Sequence, residues 1–220
     1  MSLKSKKASD QRKINEKMQR RKKELLDDLP LFTYIICEGV KTEPNYISGF
    51  ANLINNKYRD MSSGKRIIVK GTGMNTRSLL SYARKQVDKE FPQATVVWLV
   101  YDKDDFPYDD FDNTQFSAET RRDARQYKVA WSNECIELWF VLHFREIAAN
   151  TGRDQYRQIL KQYFNYEKNQ SDIYDVLKDN STLAIQRAKR LYASYGDLPP
   201  SQRFPATRVF EIVEELQQYL

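Results

Sequence analysis

The spacing of hydrophobic positions changes period several times along the chain, and each change marks an element. Leu31-Phe32-Thr33-Tyr34-Ile35-Ile36-Cys37 is an unbroken run of apolar, β-branched and aromatic residues ending at Glu38-Gly39. It predicts a strand buried on both faces. From about Glu43 to Lys57 the spacing becomes three and four, through Tyr46, Ile47, Phe50, Leu53 and Ile54. That is an amphipathic helix, with Pro44 tolerated in its first turn. Residues 66–70 read as a second strand closed by Gly71-Thr72-Gly73, and a helix from Asn75 to about Glu90 sets Leu79, Leu80, Ala83 and Val87 on one side. The strongest strand, 95–101, runs straight into Asp102-Lys103-Asp104-Asp105. A charged helix over 114–125, a strand over 127–131 and an apolar helix over 136–144 follow.

Strand and helix alternate here at about 20–30 residues per unit, which predicts right-handed crossovers and a mostly parallel α/β sheet flanked by helices. Beyond Arg145 the pattern is helical, at about 153–164, 171–177, 182–195 and 208–219. Residues 165–181 and 196–206 are loop-like, the latter fixed by Pro199, Pro200 and Pro205. The expected organisation is a basic N-terminal arm (1–30), an α/β core (31–150) and a helical C-terminal extension packed on that core (151–220).

Composition narrows the setting. Among 220 residues, 40 % are hydrophobic and 30 % charged. No apolar run approaches the roughly 20 residues of a membrane helix, and the charged N-terminus lacks an apolar signal core. A cytoplasmic protein with no membrane contact is expected. Cys37 and Cys135 stand far apart, and with His143 as the single histidine they exclude both a Cys/His zinc site and a disulfide framework.

The net charge of +6 is unevenly spread. Residues 1–23 hold ten basic side chains against Asp10 and Glu16, a charge of +8, which leaves −2 on the other 197 residues. Such an arm, with Arg20, Arg21, Lys22 and Lys23 at its dense end, is read either as a tracker of nucleic-acid phosphates or as a solvated tail.

Candidate chemistry gathers at the carboxyl ends of the predicted strands, where open parallel sheets carry their sites. The first strand delivers Glu38 and the third Asp102 and Asp104. The fourth delivers Asn133 and Glu134, with Glu137 just beyond. Oxygen donors of this kind suit Mg²⁺ or Mn²⁺. Asp102 and Asp104 on an extended segment would point to one side, around one ion. Each residue also has an ordinary explanation: Asp-x-Asp as a solvated strand end, Glu38 as a turn residue, and His143 as a hydrogen-bonded core group. Glu137 lies within Ile136-Glu137-Leu138-Trp139-Phe140, where an unpaired carboxylate is costly. It therefore either faces a polar site or pairs with a basic residue.

These residues carry a family resemblance. Ile36-Cys37-Glu38-Gly39-Val40-Lys41-Thr42-Glu43-Pro44-Asn45-Tyr46, Val100-Tyr101-Asp102-Lys103-Asp104, Ser132-Asn133-Glu134-Cys135-Ile136-Glu137-Leu138-Trp139 with Leu142-His143-Phe144, and Pro205-Ala206-Thr207-Arg208-Val209 resemble motifs of the RloB-like family. The match spans about 31–218. It departs at Glu134, where the family has Pro, and at Phe204, where it has Asn.

The resemblance implies a Rossmann-like, Toprim-type fold and a place in restriction and anti-phage defence loci, often beside an ATPase partner. It makes Glu38 a general acid/base or metal ligand, Asp102 and Asp104 holders of Mg²⁺, and Glu137 a further acidic contributor. Lys41 and Lys103 become candidates for phosphate contact. The activity implied is metal-assisted phosphodiester hydrolysis in RNA or DNA, with RNA, including tRNA, favoured by analogy to related defence effectors. The rival from another class is a non-catalytic Toprim-like binding or regulatory module. In that reading Val209, Ile212, Val213 and Leu216 on the last helix either dock an ATPase or belong to the core. A topoisomerase-type enzyme is a third reading, weakened by the lack of a recognisable Tyr nucleophile module.

Overall fold

A computed structural model describes residues 12–19, 29–61, 64–104, 107–149 and 151–220. The chain divides into two compact units, residues 1–30 and 31–220. In the first, residues 12–19 form a helix, α1. The arm residues Arg20, Arg21, Lys22 and Lys23 lie outside the described residues.

In the second unit, the apolar runs form the strands of one sheet: β1 (Thr33–Cys37), β2 (Ile67–Gly71), β3 (Val96–Asp102), β4 (Gln126–Asn133) and β5 (Ala206–Thr207). Their order is β2-β1-β3-β4-β5, all pairings being parallel except β4 with β5. Among the described residues this unit also holds eight α-helices: α2 (Thr42–Lys57), α3 (Thr76–Glu90), α4 (Tyr108–Glu119), α5 (Ile136–Leu142), α6 (Arg153–Tyr163), α7 (Ile173–Leu177), α8 (Ser181–Ala193) and α9 (Val209–Gln217).

Strand alternation builds two cores, one on each face of the sheet. Ile35, Cys37, Val96, Trp98 and Val100 face α2 and the C-terminal helices α5–α9. Tyr34, Ile36, Val97, Leu99, Tyr101 and Trp131 face α3 and α4. Both faces are buried, which is why the parallel strands are apolar without a break. Val209, Ile212, Val213 and Leu216 belong to the first core, so this stripe of α9 is spent on folding.

Two expectations need correction. The helix expected at 114–125 lies at Tyr108–Glu119. It begins directly after Pro107, and beyond its end Asp123 Oδ1 accepts the Arg125 N–H at 2.8 Å in a local turn that competes with helix. The stretch 196–206, expected as loop, ends in β5. That two-residue strand pairs antiparallel with Ser132 and Asn133. It is too short to show a period in sequence. Among the described residues no helix is long and apolar enough to cross a membrane.

The chain order reverses between β1 and β3: β1 leads to β2 on one side, and the next strand lies on the other. Cys37 is in register with Val100, and Asp102 with Ser132. The Glu38 N–H extends the ladder to Val100 O at 2.8 Å. Glu38 and Asp102 therefore leave the sheet together at a topological switch point, the usual place for a site in this kind of sheet.

Candidate carboxylate site

A cleft of about 400 Å³ opens at this end of the sheet, and Glu38, Asp102, Asp104 and Glu137 all line it. Glu38 Oε2 accepts the Thr76 hydroxyl at 3.0 Å and the Asp102 N–H at 3.3 Å. Thr76 opens α3, whose N-cap Asn75 side chain accepts the Ser78 N–H. Asp102 Oδ2 accepts the Ile136 N–H at 3.1 Å, joining the end of β3 to the start of α5.

A fifth carboxylate, Glu43, completes the wall. Sequence reasoning passed over it, although the signal was there: it falls on the buried stripe of α2 ahead of Tyr46, Ile47, Phe50 and Ile54. Its carboxylate lies so close to Gly39 that a Cβ there would stand 2.0 Å from Glu43 Oε2. Gly39 is glycine because the acid occupies that space. Gly71 is similarly confined, with a Cβ meeting Gly39 O and Val40 O at 2.6 Å.

Electrostatics follows from this crowding. Burial, with repulsion from Glu43, pushes Glu38 up to about 7, against the opposing hydrogen bonds from Thr76 and Asp102. Burial also raises Asp102 well above the ordinary aspartate range, with repulsion from Glu43 and Glu137 adding to it. Glu43 is raised by burial and by Glu137, while Lys168 acts the other way. Gathered carboxylates hold protons when no cation serves them.

The cations that line the cleft include three from the C-terminal extension: Arg153, Arg157 and Lys168. The extension was legible as helices, but nothing in its spacing marked these residues as part of a site. Arg157 Nε donates to Glu137 Oε1 at 2.9 Å, and the Tyr166 hydroxyl donates to the same oxygen at 3.2 Å. Of the two sequence readings of Glu137 both hold: it lines the polar cleft and it pairs with a base. The Arg153 guanidinium pairs with Asp104 Oδ1. Loop 165–172 is tied to α2, where Asn45 Nδ2 donates to the Asn169 and Gln170 carbonyls and the Thr42 hydroxyl donates to Asn169 Oδ1.

Asp102 and Asp104 do not share a strand face. β3 stops at Asp102. Asp104 sits in a turn at φ 42°, its N–H donating to Glu134 O at 3.1 Å. The two carboxylates enter one cleft through that turn, not through the extended alternation expected. Lys41 lines the cleft and is exposed. Lys103 is buried, with Nζ 3.5 Å from Asp104 O. His143 is buried away from the cleft, Nδ1 being 3.0 Å from Trp139 O and Nε2 3.4 Å from the Tyr46 hydroxyl. Burial pushes it down to about 4, a core group by position.

The donor set suits a hard divalent cation chemically. Its donors are all oxygens, and their raised proton affinities show negative charge in need of a partner. As the side chains stand, no three His, Cys, Asp or Glu among the described residues form a group that could hold an ion. Asp104 is engaged by Arg153 instead.

The profile of the family described as RloB-like protein matches residues 33–216. No curated protein and no solved structure matches the chain.

Proposed function

The chain belongs to the RloB-like family, and from that membership and the carboxylate cleft we propose that it is a metal-dependent phosphodiester hydrolase acting on nucleic acid. The observation that carries this reading is the convergence of Glu38, Glu43, Asp102, Asp104 and Glu137 on one cleft at the switch point of the sheet. Glu38, Asp102 and Asp104 would hold Mg²⁺ or Mn²⁺, which when bound supplies Lewis acidity to the scissile phosphate.

The chain's own groups have distinct parts in this reading. Glu38 lines the cleft at the end of β1 and serves either as a ligand to the ion or as the group that accepts a proton from water. Thr76 and the Asp102 N–H hold its Oε2 in place. Lys41 and Lys168, exposed at the cleft, bind flanking phosphates. The basic arm gathers nucleic acid without reading its sequence. RNA is the favoured substrate, in a phage-defence setting with an ATPase partner, as the family resemblance implies.

A second reading rests on a specific observation: the acids are not grouped as a metal site, and Asp104 is occupied by Arg153. It is a non-catalytic binding or regulatory module acting with the ATPase. Labelled RNA and DNA incubated with Mg²⁺ or Mn²⁺ separate the two. Cleavage by the wild type, lost in Glu38→Ala and Asp102→Ala, is the expected result. Equal cleavage by all three proteins rejects this site, and no cleavage by any, with the partner present, favours the binding module.

A further inference from the structure

We propose that Arg153 is an internal counter-cation for Asp104 that a divalent ion must displace, so that the C-terminal extension governs how readily the cleft takes up metal. This deepens the metal-dependent reading above and rests on it. Two arginines one helical turn apart on α6 reach the same acidic cleft. They are held very differently.

Arg157 meets Glu137, whose side chain is only 3 % exposed, and Tyr166 ties the same carboxylate oxygen. Breaking an enclosed, doubly held pair leaves a buried charge unserved, so this arginine is a fixed part of the fold. Arg153 and Asp104 are each about a third exposed, at 30 % and 35 %. Asp104 Oδ1 is itself buried and makes no hydrogen bond, so its neutralisation falls to the Arg153 guanidinium. The two side chains of this pair are less enclosed than those of the Arg157–Glu137 pair, and it is the more exchangeable of the two.

The same pairing accounts for the acids not being grouped around an ion: Asp104 is turned to Arg153, while Glu38 and Asp102 are held by Thr76 and backbone N–H groups. If Asp104 became a ligand to a divalent ion, the Arg153 guanidinium lining the cleft would lose its partner there. Its planar fork of donors matches a phosphate. One arginine thereby holds the metal-free site and serves the arriving polyanion.

The test is Mn²⁺ binding to the full chain, followed by calorimetry or by loss of the free-ion paramagnetic signal, for the wild type, Arg153→Gln and Arg153→Lys. Arg153→Gln is expected to bind Mn²⁺ about fivefold more tightly, with Arg153→Lys between it and the wild type. Melting temperature in EDTA should change little. A merely structural arginine would weaken binding when removed, so tighter binding is the diagnostic result. Equal or weaker binding by Arg153→Gln overturns the proposal and leaves the metal-dependent reading standing. Absence of binding by wild type and both variants at millimolar Mn²⁺ overturns both.

Discussion

Arg157 and Glu137 meet at 2.9 Å between α6 and α5, and through them the C-terminal extension enters the cleft of the α/β core. Because Glu137 is buried, loss of its partner is costly in a way that loss of both is not. Arg157→Ala should destabilise the fold by roughly 3–5 kcal/mol. Glu137→Gln combined with Arg157→Leu should recover much of that loss. Urea unfolding of the single and double variants measures the coupling, and simple additivity would show that the pair does not act as a unit.

The acidic cluster should weaken the metal-free fold near neutral pH. Glu38 is pushed from 4.5 up to about 7, so between those values the folded state binds more protons than the unfolded state. Its contribution is therefore full below pH 4.5 and lost as pH rises through 7. In EDTA, Glu38→Gln should melt several degrees above the wild type at pH 8, at about 2–4 °C per kcal/mol for a chain of this size. The gap should close towards pH 5. A gap that is constant with pH would place the effect elsewhere than in the titration of Glu38.

His143 has the opposite sign. Its folded value of about 4 lies below the ordinary 6.5, so the unfolded state binds more protons between the two. Its contribution is present above 6.5 and is lost as pH falls through 4, a change of roughly 3 kcal/mol. In His143→Phe that acid dependence should be blunted, while cleavage at neutral pH persists because the ring lies outside the cleft. Acid titration followed by circular dichroism reads the first, and a cleavage assay the second.

A side chain at Gly39 or Gly71 should disturb the turn around Glu38. Gly39→Ala forces the Glu43 carboxylate aside, since the new Cβ would lie 2.0 Å from Oε2. Gly71→Ala meets two backbone oxygens at 2.6 Å and so moves the Glu38 turn itself. Each should cost about 1–3 kcal/mol and reduce Mn²⁺ affinity, Gly71→Ala the more, because backbone yields less than a side chain. Full Mn²⁺ affinity in both variants would show that the turn does not shape the site.

The basic arm should act through charge alone. Deleting residues 1–23 removes a charge of +8. Nucleic-acid affinity should drop and its salt dependence flatten, with Mn²⁺ affinity unchanged. Titrations of labelled RNA and DNA at several salt concentrations give the slopes, and an unaltered slope would return the arm to a solvated tail.

Much of the fold and the centre of the site could be read from local pattern. The apolar runs at Thr33–Cys37 and Val96–Asp102 announced buried strands because both faces of a parallel sheet are covered. The three-and-four spacing from Tyr46 to Ile54 announced α2. Glu38 and Asp102 followed from their places at strand ends. Glu43 was passed over: it stands as an acid on an apolar stripe, and a single acid there does not say which carboxylates it will meet.

The sequence by itself determined the alternation of strands and helices and the acids the core contributes, because each depends on neighbours within a few residues, and its match over residues 33–216 carries the family membership. Only the tertiary structure decided that Arg153, Arg157 and Lys168 enter that cleft, and that Asp104 reaches it through a turn and pairs with Arg153. The Asp104–Arg153 pair joins residues 49 apart in sequence, and the cleft brings Lys168 to the same wall as Glu43, 125 residues before it. Charge neutralisation inside a cleft depends on distance in space, which the periodicity of a chain does not encode.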